Sequence, residues 1–160
     1  MKHTYKNLGL AFCLVLSISA FTILKDKTFF WRDYNIELTV PNDFTITKDT
    51  KNEFEMEGDG MELFMYIWNQ KRVTIEDMDD ATKEVAKKMK LQEVDLEHPF
   101  KNGDFEGYYV EGFDGEDRVM LAGLIDLQSK TNFFIVFTFD DKDSVAEKEA
   151  LKILDSVDHK

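Results

Sequence analysis

The 160-residue sequence predicts an α+β domain: a twisted antiparallel sheet of about six to seven strands with two helices packed on it. Three observations lead there. Several runs alternate apolar and polar residues with period two and are separated by glycine-containing turns. Three further runs are apolar on both faces, as strands in the middle of a covered sheet must be. Two stretches carry apolar residues at helical spacing.

The first alternating run places Ile36, Leu38 and Val40 on one side and Asn35, Glu37 and Thr39 on the other, and Pro41 ends it. Phe44 and Ile46 continue the pattern, followed by Phe54 and Met56 with Glu53, Glu55 and Glu57 facing water. Gly58-Asp59-Gly60, Asn102-Gly103 and Asp114-Gly115 are hairpin signals, so antiparallel neighbours should dominate. Met61–Trp68, Val119–Leu127 and Phe133–Phe139 are the two-faced runs and are expected at the sheet centre. Thr74 is a good N-cap for a helix through Lys90, with acids early and lysines late, in the order that suits the helix dipole. Its apolar face is Ile75, Met78, Ala81, Val85, Ala86 and Met89. Ser144 and Glu147 have the spacing of a capping box for a second helix, whose buried stripe is Ala146, Ala150, Ile153, Leu154 and Val157.

Residues 1–24 have a different character. Lys2, His3 and Lys6 precede an uncharged, mostly apolar stretch from Asn7 to Leu24, which Lys25 ends. A basic start before such a run is the pattern of a secretory signal peptide. Its 18 residues also lie near the lower limit for spanning a bilayer core, so a retained N-terminal membrane anchor is the alternative, and a buried helix the third. Cys13 sits inside the apolar run behind Phe12, which argues against lipidation. The rest, residues 25–160, shows no linker or repeat and is read as a single domain. It contains no Cys, so disulfides, cysteine–zinc sites and a thiol nucleophile are excluded from it. The expected location is outside the cytoplasm, in the periplasm or cell envelope, with membrane contact only through the N-terminal segment if it is uncleaved.

A net charge of −12 argues against a nucleic-acid partner, which needs a basic footprint. The search for catalytic chemistry returns little. Outside the leader the only histidines are His98 and His159, the latter expected to fray. A serine nucleophile would have to be Ser129, Ser144 or Ser156, each better explained as a turn or helix-end residue, and no Gly-x-Ser-x-Gly elbow occurs. Gly58-Asp59-Gly60 lacks the Lys-Ser/Thr of a phosphate loop. Asp140, Asp141 and Asp143 could ligate Ca²⁺ weakly, yet an EF-hand starting at Asp141 would put Ala146 at the required glycine and Lys152 at the bidentate glutamate. Helix capping is the simpler role. No catalytic residue, metal ligand or cofactor is therefore assigned.

Phe64, Tyr66 and Trp68 share one face of a strand at about 7 Å intervals, making a broad apolar surface with a polar edge. Either a helix covers them, or part of the surface is left for a partner chain or an apolar ligand. Tyr108 and Tyr109 are expected to extend it from a neighbouring strand.

Taken together, a strand ending in Pro41-x-x-Phe44, a two-faced strand, a mid-chain helix, a run of antiparallel strands and a helix closing in Ile153-Leu-Asp-Ser-Val157 resemble the PsbP-like superfamily, which includes the Ran-binding Mog proteins. The resemblance covers about Trp31–Val157 and departs from the lipoprotein members in lacking a lipobox cysteine. It implies an α/β/α sandwich and a non-enzymatic binding or assembly role. The leading expectation is an exported accessory protein supporting a protein partner or membrane complex. A carrier of a small apolar ligand on the aromatic face is the alternative, and a hydrolase built on acidic residues the third.

Overall fold

The computed structural model describes residues 26–143 and 145–160; the leader and Ser144 lie outside the described residues. The elements in chain order are β1 (Lys27–Trp31), β2 (Ile36–Val40), β3 (Thr45–Asp49), β4 (Glu53–Gly58), β5 (Met61–Ile67), α1 (Ile75–Met89), β6 (His98–Asn102), β7 (Phe105–Asp114), β8 (Asp117–Asp126), β9 (Asn132–Asp140), α2 (Ala146–Leu154) and β10 (Asp158–His159). Seven strands form one antiparallel sheet in the order β3-β4-β5-β9-β8-β7-β6. The three two-faced runs, β5, β9 and β8, are its three central strands. All three predicted hairpin turns form, with positive φ at Gly60, Gly103 and Gly115, where a Cβ would be strained.

α1 lies on one face, over β7 and β8. Met78, Ala81 and Ala86 pack there against Val110, Val119, Leu121, Phe134 and Val136. The fit depends on Gly123 in β8. A Cβ at that position would collide with Thr82 Oγ1 and come within 2.8 Å of Met78 Sδ and 2.9 Å of Phe134 Cε1. Thr82 is fully buried and returns its hydroxyl proton to the Met78 carbonyl at 2.7 Å. Thr74 caps the helix as expected: its Oγ1 accepts from the Asp77 amide at 3.1 Å, while Asp77 Oδ2 accepts from the Thr74 amide at 2.8 Å. Met89, placed on the apolar face by spacing, is about one-third (36%) exposed at the last turn.

The opposite face is covered by α2 and by a second, three-stranded sheet of order β1-β2-β10. The sequence did not separate this small sheet from the large one. Ile36, Leu38 and Val40 are buried by it against the main sheet, as is Trp31, whose indole donates to the Thr50 carbonyl at 2.9 Å. The predicted stripe of α2 is buried throughout. Its start is capped by Asp143 Oδ1, which accepts from the amides of Val145 and Ala146 at 2.9 and 3.2 Å. The capping box expected from Ser144 lies outside the described residues.

His159 is not frayed. It belongs to β10, which pairs with Ile36 and Glu37 of β2, and its ring packs at 4.8 Å from Phe105. The Asn102 side chain holds the approach to β10 by donating to the carbonyls of Asp155 and Val157 at 2.7 and 3.0 Å. Asp26 pairs with Lys152 at 2.6 Å, tying the first described residue to α2. Architecturally the described residues make an α+β sandwich, with the small sheet sharing one outer layer with α2.

Candidate functional site

Alternation along β5 sends Met61, Leu63 and Met65 into the core under α2 and the small sheet, and Phe64 and Tyr66 to the side of α1. Trp68 follows on that side. The three aromatics are partly exposed, because α1 lies over β7 and β8 and not over β5. Phe64 stacks on Tyr66 with ring centres 5.5 Å apart, and Phe134 of β9 lies 5.1 Å from Tyr66 and 5.7 Å from Trp68. Burial pushes the Tyr66 hydroxyl up to about 12, so it stays protonated across the physiological range.

On the side away from α1 the strip is bordered by acids. Glu55 stands opposite Phe64 on β4, Glu53 opposite Tyr66, and Glu57 opposite Glu62. Lys48 of β3 bridges Glu53 at 2.6 Å and Glu55 at 3.1 Å. A recess of about 430 Å³ follows this border, lined by Thr47, Glu55, Glu57, Glu62 and Phe64 among others. The result is an aromatic strip between a helix and a carboxylate row.

The two other predicted aromatics do not join it. Tyr108 sits on β7, opposite Gly123 of β8, on the α1 face but separated from β5 by β8 and β9. Tyr109 points to the other face, where it packs on the α2-side core and stacks on His98 at 4.8 Å. Consecutive strand residues face opposite ways, so the pair could not serve one surface. The expectation that β7 neighbours β5 failed because β9, later in the chain, inserts beside β5.

The structure brings one serine, acid and histidine together. Ser129 Oγ hydrogen-bonds Asp126 Oδ2, and His159 Nε2 lies 3.1 Å from Asp126 Oδ1. The order is Ser–Asp–His, with the carboxylate in the middle, so no imidazole is placed to take the serine proton. Asp126 is fully buried and also accepts from the amides of Gln128 and Ser129 at 2.8 and 3.1 Å. This is how the β8–β9 turn is fastened to β10. Ser156 is committed too, donating to Ile153 O at 2.6 Å and accepting from Thr39 N at 2.8 Å.

The acidic turn before α2 is likewise engaged. Asp140 accepts from the Lys142 amide at 2.9 Å, Asp141 pairs with Arg118 at 2.8 Å, and Asp143 caps α2. Arg118 also reaches Glu111 at 3.1 Å and Glu147 at 3.2 Å, joining β7, β8 and α2. Burial raises the Glu111 carboxyl above its usual range, against the lowering effect of the Arg118 hydrogen bond.

No family model matches the sequence, and no curated protein matches it significantly. The fold does have known counterparts. The solution structure of cyanobacterial PsbP (CyanoP) from Synechocystis sp. PCC 6803 superposes with a TM-score of 0.62 at 9% identity, covering 91% of this chain and 99% of that one. The Saccharomyces cerevisiae Ran-binding protein Mog1p matches with a TM-score of 0.54 at 10% identity, over 81% of this chain and 84% of that one. A Bacteroides thetaiotaomicron structure matches at 0.51 and 14% identity over 84% of this chain, which spans about half (48%) of that longer chain. At these identities the likeness defines the fold: the chain is similar to PsbP and Mog1p in architecture, as the element order of its sequence implied.

Proposed function

We propose that the protein is a non-enzymatic accessory protein that binds a protein partner through the strip of Phe64, Tyr66 and Trp68. The observation that carries this reading is the strip itself: Phe64 stacked on Tyr66 along a central strand, with Trp68 just past its end against Phe134, left partly open by α1 and edged by Glu53 and Glu55. Aromatic rings with a polar border are the usual anchors of protein interfaces. The fold shared with a Ran-binding protein supports a binding role, and the Ser129–Asp126–His159 arrangement offers no activated nucleophile. Residues 1–24 act as a signal peptide or anchor that delivers the domain to the periplasm or cell envelope. Among the described residues no helix is long and apolar enough to cross a membrane. The alternative of a small apolar ligand on the same face is less well supported, because the recess beside Phe64 carries the carboxylates of Glu55, Glu57 and Glu62 alongside Met56 and Leu63.

The test is native mass spectrometry on the protein purified gently from its own cells, as wild type and as Trp68→Ala. A partner protein that accompanies the wild type and is lost from a variant that remains folded is the expected result. A partner retained by Trp68→Ala would move the interface elsewhere, and a bare mass for both would end the proposal. The same spectra report whether residues 1 to about 20 have been removed.

A further inference from the structure

We propose that the end of the main sheet where the β5–α1 loop meets the β8–β9 turn is a binding site for a small organic anion with an apolar body, such as an aryl or short acyl carboxylate. A recess of about 500 Å³ opens there, within the ~300–1,000 Å³ range of small-molecule sites. Val73 and Ile125 supply its apolar lining, and Lys71, Arg72 and Lys130 converge on it from two different segments of chain. Among the described residues none of these three cations is held in an ion pair, so their charge is not already neutralised by a neighbouring carboxylate.

The walls are built to hold position. The Asn132 side chain, almost wholly buried, donates to the Gln70 carbonyl at 2.7 Å, and the Trp68 amide donates to Asn132 O at 2.8 Å, latching the β5–α1 loop to β9. On the other wall the Lys130 amide donates to Asp126 O at 2.8 Å. Arg72 and Lys130 both have φ of 61°, a region that favours glycine or asparagine. Both residues line the same recess. Asp126, the acid that opens the turn, is buried and engaged with Gln128, Ser129 and His159, so it does not neutralise Lys130 from the solvent side.

Charge distribution favours the same end. The turns at the opposite end of the strands carry Asp59, Asp114, Glu116, Asp117, Asp140 and Asp141, against Asp104, Glu76 and Asp77 near the recess, and the chain is −12 overall. An anion approaching this acidic protein is repelled there and drawn to the Lys71–Arg72–Lys130 recess. Concavity argues for a small molecule over an extended acidic chain, because the three cations border one recess instead of lining a track. The apolar lining argues for an organic anion over inorganic phosphate.

The experiment is a ¹⁵N–¹H NMR titration of the purified full chain with 4-phenylbutyrate and, separately, with 4-phenylbutan-1-ol, which has the same body without the charge. The carboxylate should shift the amides of Arg72, Val73, Ile125, Lys130 and Asn132 and bind at least about tenfold more tightly than the alcohol, the difference one charge-assisted contact supplies. Arg72→Gln with Lys130→Gln should abolish that preference while leaving the spectrum of the fold and the alcohol affinity unchanged. Equal affinity for acid and alcohol, shifts confined to another surface, an unaltered preference in the double variant, or no shifts at all would each overturn the proposal. The outcome is independent of the protein-partner reading, which concerns the face of Phe64, Tyr66 and Trp68.

Discussion

Truncating each of the two tryptophans to alanine separates the core of this fold from its candidate interface. Trp31 has no exposed surface, stacks on Phe54 at 5.9 Å, meets Tyr34 edge-on at 4.9 Å and donates to Thr50 O. A buried tryptophan withdraws roughly 150–250 Å² from water. At about 25 cal/mol per Å² that is about 4–6 kcal/mol, in line with the ~3–5 kcal/mol measured for large aromatic truncations. Such a loss is a large fraction of the ~5–15 kcal/mol that holds a typical domain. Trp68 is partly exposed and its ring pairs with Phe134 alone, so part of its transfer energy is never gained and water can fill the space left behind. Its truncation should cost about 1–2 kcal/mol by the same area argument. Urea unfolding followed by far-ultraviolet circular dichroism measures both, since the fluorescence signal changes with each tryptophan removed. Comparable losses for the two variants, or about 3 kcal/mol or more for Trp68→Ala, would show that the strip is ordinary core and refute its assignment as a binding surface.

Three other perturbations test separate parts of the structure. Gly123→Ala should destabilise by about 1–3 kcal/mol or more, because its Cβ would strike Thr82, Met78 and Phe134 under α1; an unchanged thermal midpoint would mean the helix does not sit on β8. Tyr66 should titrate near 12 in the folded protein, against about 10 unfolded. The folded state then keeps its proton longer, so this contribution is intact below pH 10 and is lost as pH rises toward 12; Tyr66→Phe should remove that alkaline decline, and phenolate absorbance appearing near pH 10 at this position would contradict it. Arg118→Met leaves Glu111, Asp141 and Glu147 clustered without their shared cation. Glu111 already has a raised pKa, so its contribution is present in acid and falls as pH rises through its folded value. The variant's deficit should therefore be larger at neutral pH than in acid, and a pH-independent deficit in unfolding titrations would count against the network.

The elements most legible in the sequence were those whose local chemistry and burial agree. Thr74, the acid-to-lysine gradient and the 3.6-residue stripe made α1 readable to within a residue at each end. The doubly apolar faces of β5, β8 and β9 located the sheet centre, because only a strand covered on both sides tolerates that composition. What was not legible was set by long-range pairing. β10 has two residues and no period of its own; it exists because β2 offers an edge. The same reasoning explains Tyr108 and Tyr109: the sequence gives the direction of each side chain but not which strand lies beside which. For the candidate sites, the aromatic row could be read from spacing, while Lys71, Arg72 and Lys130 could not. Lys130 lies 58 residues or more from Lys71 and Arg72, and nothing in the local sequence of either segment shows that the two meet.

The closure of the small sheet also governs when this protein can finish folding. β2 is made early, yet one of its edges waits for Asp158 and His159, and the Asp126 turn waits for the same histidine. A contact spanning about 120 residues is among the slowest kinds to form. A nascent chain can build the hairpins of the large sheet as they emerge, but the layer that seals Trp31, Ile36 and Leu38 remains incomplete until residues 158 and 159 are released. Synthesis therefore runs ahead of the final structure, and one face of the large sheet keeps part of its apolar surface uncovered until the last strand is in place.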